Sequence, residues 1–291
     1  MILPGATLGM LGGGQLGRMF TIAARTLGYR VCVLDPDPDS PAGAMADEHL
    51  CAPYDDMNSL RRMAVSCEAV TTEFENIPAG SIRALASDCV VHPSARALET
   101  TQDRIREKTF IRDLGLPTAA FTAVLEAGEL DAAVDGLRMP GILKRSSLGY
   151  DGKGQYPVND IDSARRGFSA EGNVPSVLEE RVELDREISV ILARHNCGLV
   201  HCFPVAENEH RDGILDVTTV PARISTDQAD EARRLASRLA MALDYVGVMA
   251  VEFFVTTPGD LLVNEIAPRP HNSGHYTLDA CCSNCDVTQA S

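Results

Sequence analysis

Residues 248–266 read VMAVEFFVTTPGDLLVNEI. Residues 248–255 form an apolar, β-branched run, and residues 261–266 form another. Between them Thr257, Pro258, Gly259 and Asp260 supply turn chemistry, since proline presets φ and glycine tolerates φ > 0. With those four residues as the loop, Thr256 faces Leu261, Val255 faces Leu262 and Glu252 falls opposite Glu265. Directly opposed residues of an antiparallel pair project to the same face. Two carboxylates about 4 Å apart repel by roughly 4 kcal/mol at an effective dielectric near 20. A shared proton, a basic neighbour or a divalent cation has to offset that charge. Asn264 adds an amide oxygen beside Glu265, and hard oxygen ligands suit magnesium carrying a nucleotide's phosphates. The alternative is a solvated strand in which the two glutamates are unrelated.

At 291 residues the chain is long enough for two or three subdomains. A formal net charge of −15 argues against non-specific binding to nucleic acid or to an anionic membrane. Any phosphate ligand must then be held by local basic groups and backbone amides. No apolar run approaches membrane-spanning length. The opening MILPGATLGMLGGG has no basic leader and is broken by Pro4 and the glycines, so it reads as a strand and turn. Nine cysteines without a framework spacing fit reduced thiols in a cytoplasm. Cys281, Cys282 and Cys285 form a cluster without a second ligand pair, which disfavours a structural metal.

The first hundred residues alternate strand and helix patterns. Strands are expected at 7–11, 30–34 and 69–72, with helices at 15–27 and 60–65. That alternation predicts a parallel, doubly wound α/β sheet. A charged helix is expected from 103 to 114. Residues 118–178 carry short strands and a long glycine-bearing loop, and read as a smaller, mobile subdomain. Further strands are expected at 187–193 and 198–203. Then comes a helix opened by a Ser225-x-x-Gln228 capping box, with Leu235, Leu239 and Leu243 on one face.

Four segments carry the chemistry. Gly12-Gly13-Gly14-Gln15-Leu16-Gly17 follows a strand, opens a helix and satisfies G-x-G-x-x-G, with Asp35 ending the next strand. Alone, it suggests a dinucleotide-dependent dehydrogenase, although the same turn suits any phosphate at a helix N-terminus, or serves helix–strand packing alone. Thr71-Thr72-Glu73-Phe74-Glu75-Asn76 lies at the carboxyl edge of the sheet, where ligands of such folds bind. In KRSSLGYDGKGQ (residues 144–155) a strand delivers Lys144, three glycines free backbone amides to wrap an anion, and Lys153 adds charge. Arg269-Pro270-His271-Asn272-Ser273-Gly274-His275 follows Glu265, and the stiffness of Pro268 and Pro270 lets Arg269 and His271 project toward the carboxylates. A guanidinium there can clamp a small oxyanion or a transferring phosphoryl group.

The paired hairpin glutamates, the Lys144 strand and the GYDGKGQ loop resemble the ATP-grasp superfamily. GGGQLGRM, TTEFENIP, LKRSSLGYDGKGQ and NEIAPRPHNSGHYT are similar, in order and over essentially the whole chain, to the 5-(carboxyamino)imidazole ribonucleotide synthetase family within it. The resemblance implies an ATP-grasp fold preceded by a doubly wound parallel α/β (pre-ATP-grasp) domain. The domains would be 1–102 for substrate binding, 103–178 as the small lid, and 179–291 as the larger unit with the metal-binding hairpin.

Residue by residue, the resemblance sets ATP against Arg104, Lys144 and the loop of Gly149, Tyr150, Asp151, Gly152, Lys153, Gly154 and Gln155. Glu179, Glu180, Arg181 and Val182 would form the adenine-side strand. Glu187 would take the ribose with His210 nearby, and Glu252 and Glu265 would hold magnesium with Asn264 alongside. Gln15, Leu16, Glu73, Asn76, Asn272 and Ser273 would face 5-aminoimidazole ribonucleotide. Tyr150, Asp151, Lys153, Arg269 and His271 would surround the reacting carbonate and amine, with Asp151 orienting or deprotonating the amine. The implied reaction is ATP-dependent carboxylation of the ribonucleotide by bicarbonate through carboxyphosphate, in a cytoplasmic homodimer that binds neither nucleic acid nor membrane. The first glycine motif would then bind a phosphoribosyl group, and closure of the 118–178 subdomain would exclude water.

Family members continue past HNSGHYT with a segment whose basic residues grip the ribonucleotide phosphate. The resemblance therefore leads to the expectation that this segment is absent here, the chain ending at Ser291. Two alternatives stay open: a nucleotide-binding protein inactive without that segment, and the dehydrogenase.

Overall fold

The computed structural model describes residues 2–147 and 154–281. The first unit is a five-stranded parallel sheet of β1 (Thr7–Leu11), β2 (Arg30–Leu34), β3 (Glu48–Leu50), β4 (Ala69–Thr72) and β5 (Val90–Val91). Its spatial order is β3-β2-β1-β4-β5. Leu8 and Met10 pack with Phe20 and Ala24 of α1 (Gln15–Thr26) on one face. Leu11 and Leu34 pack on the other with Leu60 and Met63 of α2 (Met57–Ser66) and Ile82 and Leu85 of α3 (Ala79–Leu85). Burial on both faces explains the nearly continuous apolar strands. Helix α2 starts three residues before its expected position because Asp56 accepts from the Ser59 amide and caps it there. The order reverses between β1 and β4, so the turns after these two strands meet at the crevice where such sheets bind ligands.

Helix α4 (Ala95–Thr101) leads to α5 (Arg104–Asp113), capped by Asp103. The small unit follows as an antiparallel sheet in the order β6-β9-β7-β8. It is built from β6 (Phe121–Val124), β7 (Gly141–Arg145), β8 (Gln155–Val158) and β9 (Ser176–Glu180). Helices α6 (Leu130–Asp135) and α7 (Ile161–Ala170) cover it, enclosing Leu143, Phe168 and Leu178.

The largest sheet contains β10 (Leu184–Arg194), β11 (Val200–Cys202), β12 (Ala206–Arg211), β13 (Ile214–Thr219), β14 (Gly247–Thr256) and β15 (Leu261–Ala267). Helix α8 (Thr226–Ala242) opens at the expected Ser225–Gln228 capping box. Its Leu235 and Leu239, with Leu243 just beyond its end, pack on Val190, Val251, Phe253, Val263 and Ile266. The opposite face of this sheet carries the polar residues described next. A short helix α9 (Thr277–Ala280) ends the described chain. No described helix is long and apolar enough to cross a membrane, and Cys282 and Cys285 lie outside the described residues.

Candidate functional site

The hairpin of β14 and β15 pairs Glu252 with Glu265, as expected, but by a different route. At the turn Val255 faces Leu261, Phe254 faces Leu262 and Phe253 faces Val263, one residue out of the expected register. Asn264 is then the extra residue of a β-bulge, which restores the Glu252–Glu265 pairing. Burial along β15 shows the consequence. Leu261, Val263 and Ile266 are in the core, whereas Asn264 and Glu265, adjacent in sequence, both leave it. The bulge thus sets three oxygen-bearing side chains on the face opposite α8. The edge of β15 is closed by Pro117 O, which accepts from the Val263 amide at 2.8 Å, and by Glu107 Oε1, which accepts from the Ile266 amide at 2.7 Å.

The charges around this pair are unequal. Arg104 Nη1 lies 2.9 Å from Glu265 Oε2 and His271 Nε2 lies 3.2 Å from Glu252 Oε1. Burial, then the Glu265 charge, pushes Glu252 up to about 8. Burial opposes ionisation of Glu265 as well, but Arg104, through its charge and its hydrogen bond, and then Lys144 outweigh it and bring that carboxyl down to about 2. Burial and the adjacent Arg269 hold His271 neutral, down to about 3. Its Nδ1 accepts from the Ser273 amide at 3.3 Å and lies 2.9 Å from Ser273 Oγ, and Ser189 donates to that hydroxyl at 2.8 Å. The ring proton therefore belongs on Nε2, facing Glu252. Asn264 Oδ1 is buried without a hydrogen-bond partner among the described residues. An unpartnered amide oxygen beside two carboxylates is the donor set of a hard divalent cation. Among the described residues no group of three His, Cys, Asp or Glu side chains could hold a metal unaided.

Lys144, on β7, is buried and donates to Glu179 Oε2 at 3.1 Å. Glu187 and His210 form a pair at 2.8 Å on the same face as Glu252, and the bond to Glu187 raises the His210 pKa. Glu180 turns away from the others, bonding the Arg138 amide and guanidinium, and the Arg181 side chain is exposed. Val182 is half-buried, Gly154 adopts φ +74° and Gln155 pairs with Lys144 at the start of β8. Gly149, Tyr150, Asp151, Gly152 and Lys153 lie outside the described residues.

The glycine-rich turn agrees better with the packing reading than with either phosphate reading. Gly13 donates to Asp35 Oδ2 at 2.6 Å, Gly17 donates to Glu73 Oε2 at 2.6 Å, and Gly14 donates to Glu73 Oε1. A Cβ on Gly12 would come within 2.5 Å of the Glu73 side chain and one on Gly13 within 2.5 Å of Ser40. The glycines make room for internal carboxylates, so the turn is closed to a dinucleotide pyrophosphate and the dehydrogenase alternative loses its basis. Only Gln15 and Leu16, whose amides have no intrahelical acceptor, remain at the mouth. Glu73, which the resemblance sets against the ribonucleotide, accepts from the Gly14 and Gly17 amides and braces this turn. Ser273 was expected against the ribonucleotide too, but it is fully buried and bonded to His271 and Ser189, whereas Asn272 is exposed.

Arg269 joins the first unit to the hairpin. Its Nε donates to Glu75 Oε2 at 2.6 Å and its Nη1 to Pro270 O at 3.1 Å. Glu75 is held in turn, since Gln102 donates to its backbone carbonyl. A cleft lined by Asn76, Gln102, Arg104, Ser146, Glu265 and Arg269 opens between the two units. Sequence reasoning missed Glu107, Lys108 and Ser189 as members of this site. For the first two a signal existed, because Arg104, Glu107, Lys108 and the core residue Ile111 share one stripe of α5.

A hairpin that opposes two carboxylates, a buried lysine on a small antiparallel sheet and a preceding parallel domain are features of the ATP-grasp class. The chain belongs to it: the ATP-grasp domain matches residues 109–284 and the ribonucleotide synthetase preATP-grasp domain matches residues 5–102. Within that class it is a member of the N5-carboxyaminoimidazole ribonucleotide synthase family. It is 46% identical over 280 residues to the Brucella melitensis member, covering 96% of this chain and 77% of that one. The Staphylococcus aureus N5-carboxyaminoimidazole synthetase complexed with ADP superposes with a TM-score of 0.95 at 38% identity, covering 99% of this chain and 77% of that one. The Aspergillus clavatus synthase in complex with ADP and 5-aminoimidazole ribonucleotide gives 0.91 at 30% identity, covering 98% and 75%.

Proposed function

We infer that this chain carboxylates 5-aminoimidazole ribonucleotide at the expense of ATP, giving N5-carboxyaminoimidazole ribonucleotide, ADP and phosphate in de novo purine biosynthesis. The observation that carries this reading is the bulge at Asn264. It aims Glu252, Asn264 and Glu265 at the face shared with Arg104 and Lys144, in a chain whose relatives bind ADP and the ribonucleotide.

Magnesium, held by Glu252 and Glu265 with Asn264 Oδ1, would neutralise phosphate charge. Arg104, Lys144 and the 149–155 loop hold the phosphates, residues 179–182 receive the adenine, and Glu187 with His210 receives the ribose. A bicarbonate oxygen attacks the γ-phosphorus and ADP leaves, forming carboxyphosphate. The exocyclic amine then attacks its carbonyl carbon, phosphate leaves and the nitrogen gives up a proton, which Asp151 accepts. Arg269, fixed through Nε and Nη1, keeps Nη2 for the carbonate oxygens. His271 presents Nε2–H beside it, and Tyr150 and Lys153 complete the surround. Such chemistry needs mainly positioning and charge neutralisation.

The ribonucleotide lies against Gln15, Leu16, Asn76 and Asn272, with Glu73 and Ser273 acting through the groups they hold. Residues 1–102 bind it, residues 103–178 close as a lid and residues 179–291 hold the metal. Free thiols at the described cysteines support a cytoplasmic setting, and the family resemblance supports a homodimer, which sedimentation would test. Labelled bicarbonate provides the test of function. ATP-dependent transfer of label to the ribonucleotide is expected, and label that stays in bicarbonate with all substrates present would overturn the reading.

A further inference from the structure

Lys108 has no part in the steps above, yet it is fully buried in the middle of α5. Its Nζ lies 3.3 Å from Glu179 Oε2, the same oxygen that Lys144 Nζ reaches at 3.1 Å. Glu179 Oε1 is buried with no hydrogen-bond partner among the described residues. Two ammonium groups thus share one carboxylate oxygen, and the surplus positive charge needs an anion. The lysines differ in freedom. Lys108 also donates to Thr118 Oγ1 at 3.2 Å, and Thr118 is tied to Val263 O at 2.8 Å. Lys144 sits near the end of β7 and retains slight exposure.

If Lys144 turns to a phosphate, Glu179 becomes a buried carboxylate in need of a remaining counter-charge. We propose that Lys108 is a positioning residue that keeps Glu179 ionised and in place while Lys144 transfers to the phosphates of bound nucleotide. Without Lys108, Lys144 is the only lysine paired with Glu179 among the described residues and is retained by it, so phosphate binding has to break a buried ion pair. The titration behaviour agrees in direction. Burial works against ionised Glu179, and Lys144, then Lys108, with a smaller share from Arg104, more than offset it, while burial and the neighbouring cations lower the Lys144 pKa. The proposal rests on the assignment of this face to ATP.

The test compares magnesium-ATP with adenosine, which offers no phosphate, by calorimetry on the full chain. The variants are Lys108→Met, Glu179→Gln and the double replacement. Lys108→Met should weaken magnesium-ATP at least tenfold while adenosine affinity stays within twofold. In the Glu179→Gln background the same replacement should change ATP affinity less than threefold. Equal losses for ATP and adenosine, or the same ATP loss in both backgrounds, would overturn the proposal. Should Lys108→Met fail to fold, the double variant against Glu179→Gln decides alone, and a difference above threefold refutes it. A wild-type chain that binds ATP no better than adenosine would instead remove the ATP assignment, before any variant is compared.

Discussion

Loading the hairpin with magnesium and nucleotide at pH 7 should expel close to one proton per chain. Glu252 is raised from an ordinary value of 4.5 to about 8, so roughly nine chains in ten carry its proton at pH 7. A cation takes the carboxylate, and that proton has to leave. Release should fall toward zero by pH 9, and affinity should weaken roughly tenfold for each unit below pH 8. The same shift affects stability. Between 4.5 and about 8 the folded chain holds a proton that the unfolded chain has lost, so this group's contribution is fully present below 4.5 and is lost as pH rises to 8. Glu265, lowered to about 2, contributes oppositely, its share being lost only as pH falls from 4.5 through 2. The assay is calorimetry with a non-hydrolysable ATP analogue in buffers of different ionisation enthalpy, for wild type and Glu252→Gln. The nucleotide's own protons are common to both, so the difference reports Glu252. Equal proton release by the two proteins at pH 7 would refute the reasoning.

Glu265→Gln should weaken magnesium-ATP binding and abolish turnover, and unchanged turnover would remove the metal assignment. Glu73→Gln keeps the side-chain volume but offers one acceptor where the Gly14 and Gly17 amides need two. The loss should be about 1–3 kcal/mol in urea unfolding, and a neutral result would contradict the account of the glycine turn. Glu75→Ala frees Arg269 from its 2.6 Å anchor and should lower kcat at least tenfold with ATP affinity within threefold. An equal loss of ATP affinity would show that the pair organises the nucleotide site instead.

Period and punctuation in the sequence made the parallel sheet, helix α8 and the hairpin legible, because each repeats a local rule along consecutive residues. The bulge at Asn264 was not, since a single inserted residue leaves no period to detect. The sequence pattern therefore sets the turn one register out, although Glu252 and Glu265 still meet. GGGQLG was legible as a strand-to-helix turn, but its amides bond Asp35 and Glu73, which arrive from later strands. Lys108 escaped notice because Glu179 reaches it only through the lid sheet. Ser189 looks like an ordinary strand serine until Ser273 and His271 are brought beside it.

The central claim is that this face turns over ATP for the ribonucleotide. The direct measurement is ADP release from magnesium-ATP and bicarbonate, with and without 5-aminoimidazole ribonucleotide. The account predicts release that depends on the ribonucleotide and disappears in Glu265→Gln. ADP release indifferent to the ribonucleotide, or surviving in that variant, would contradict it.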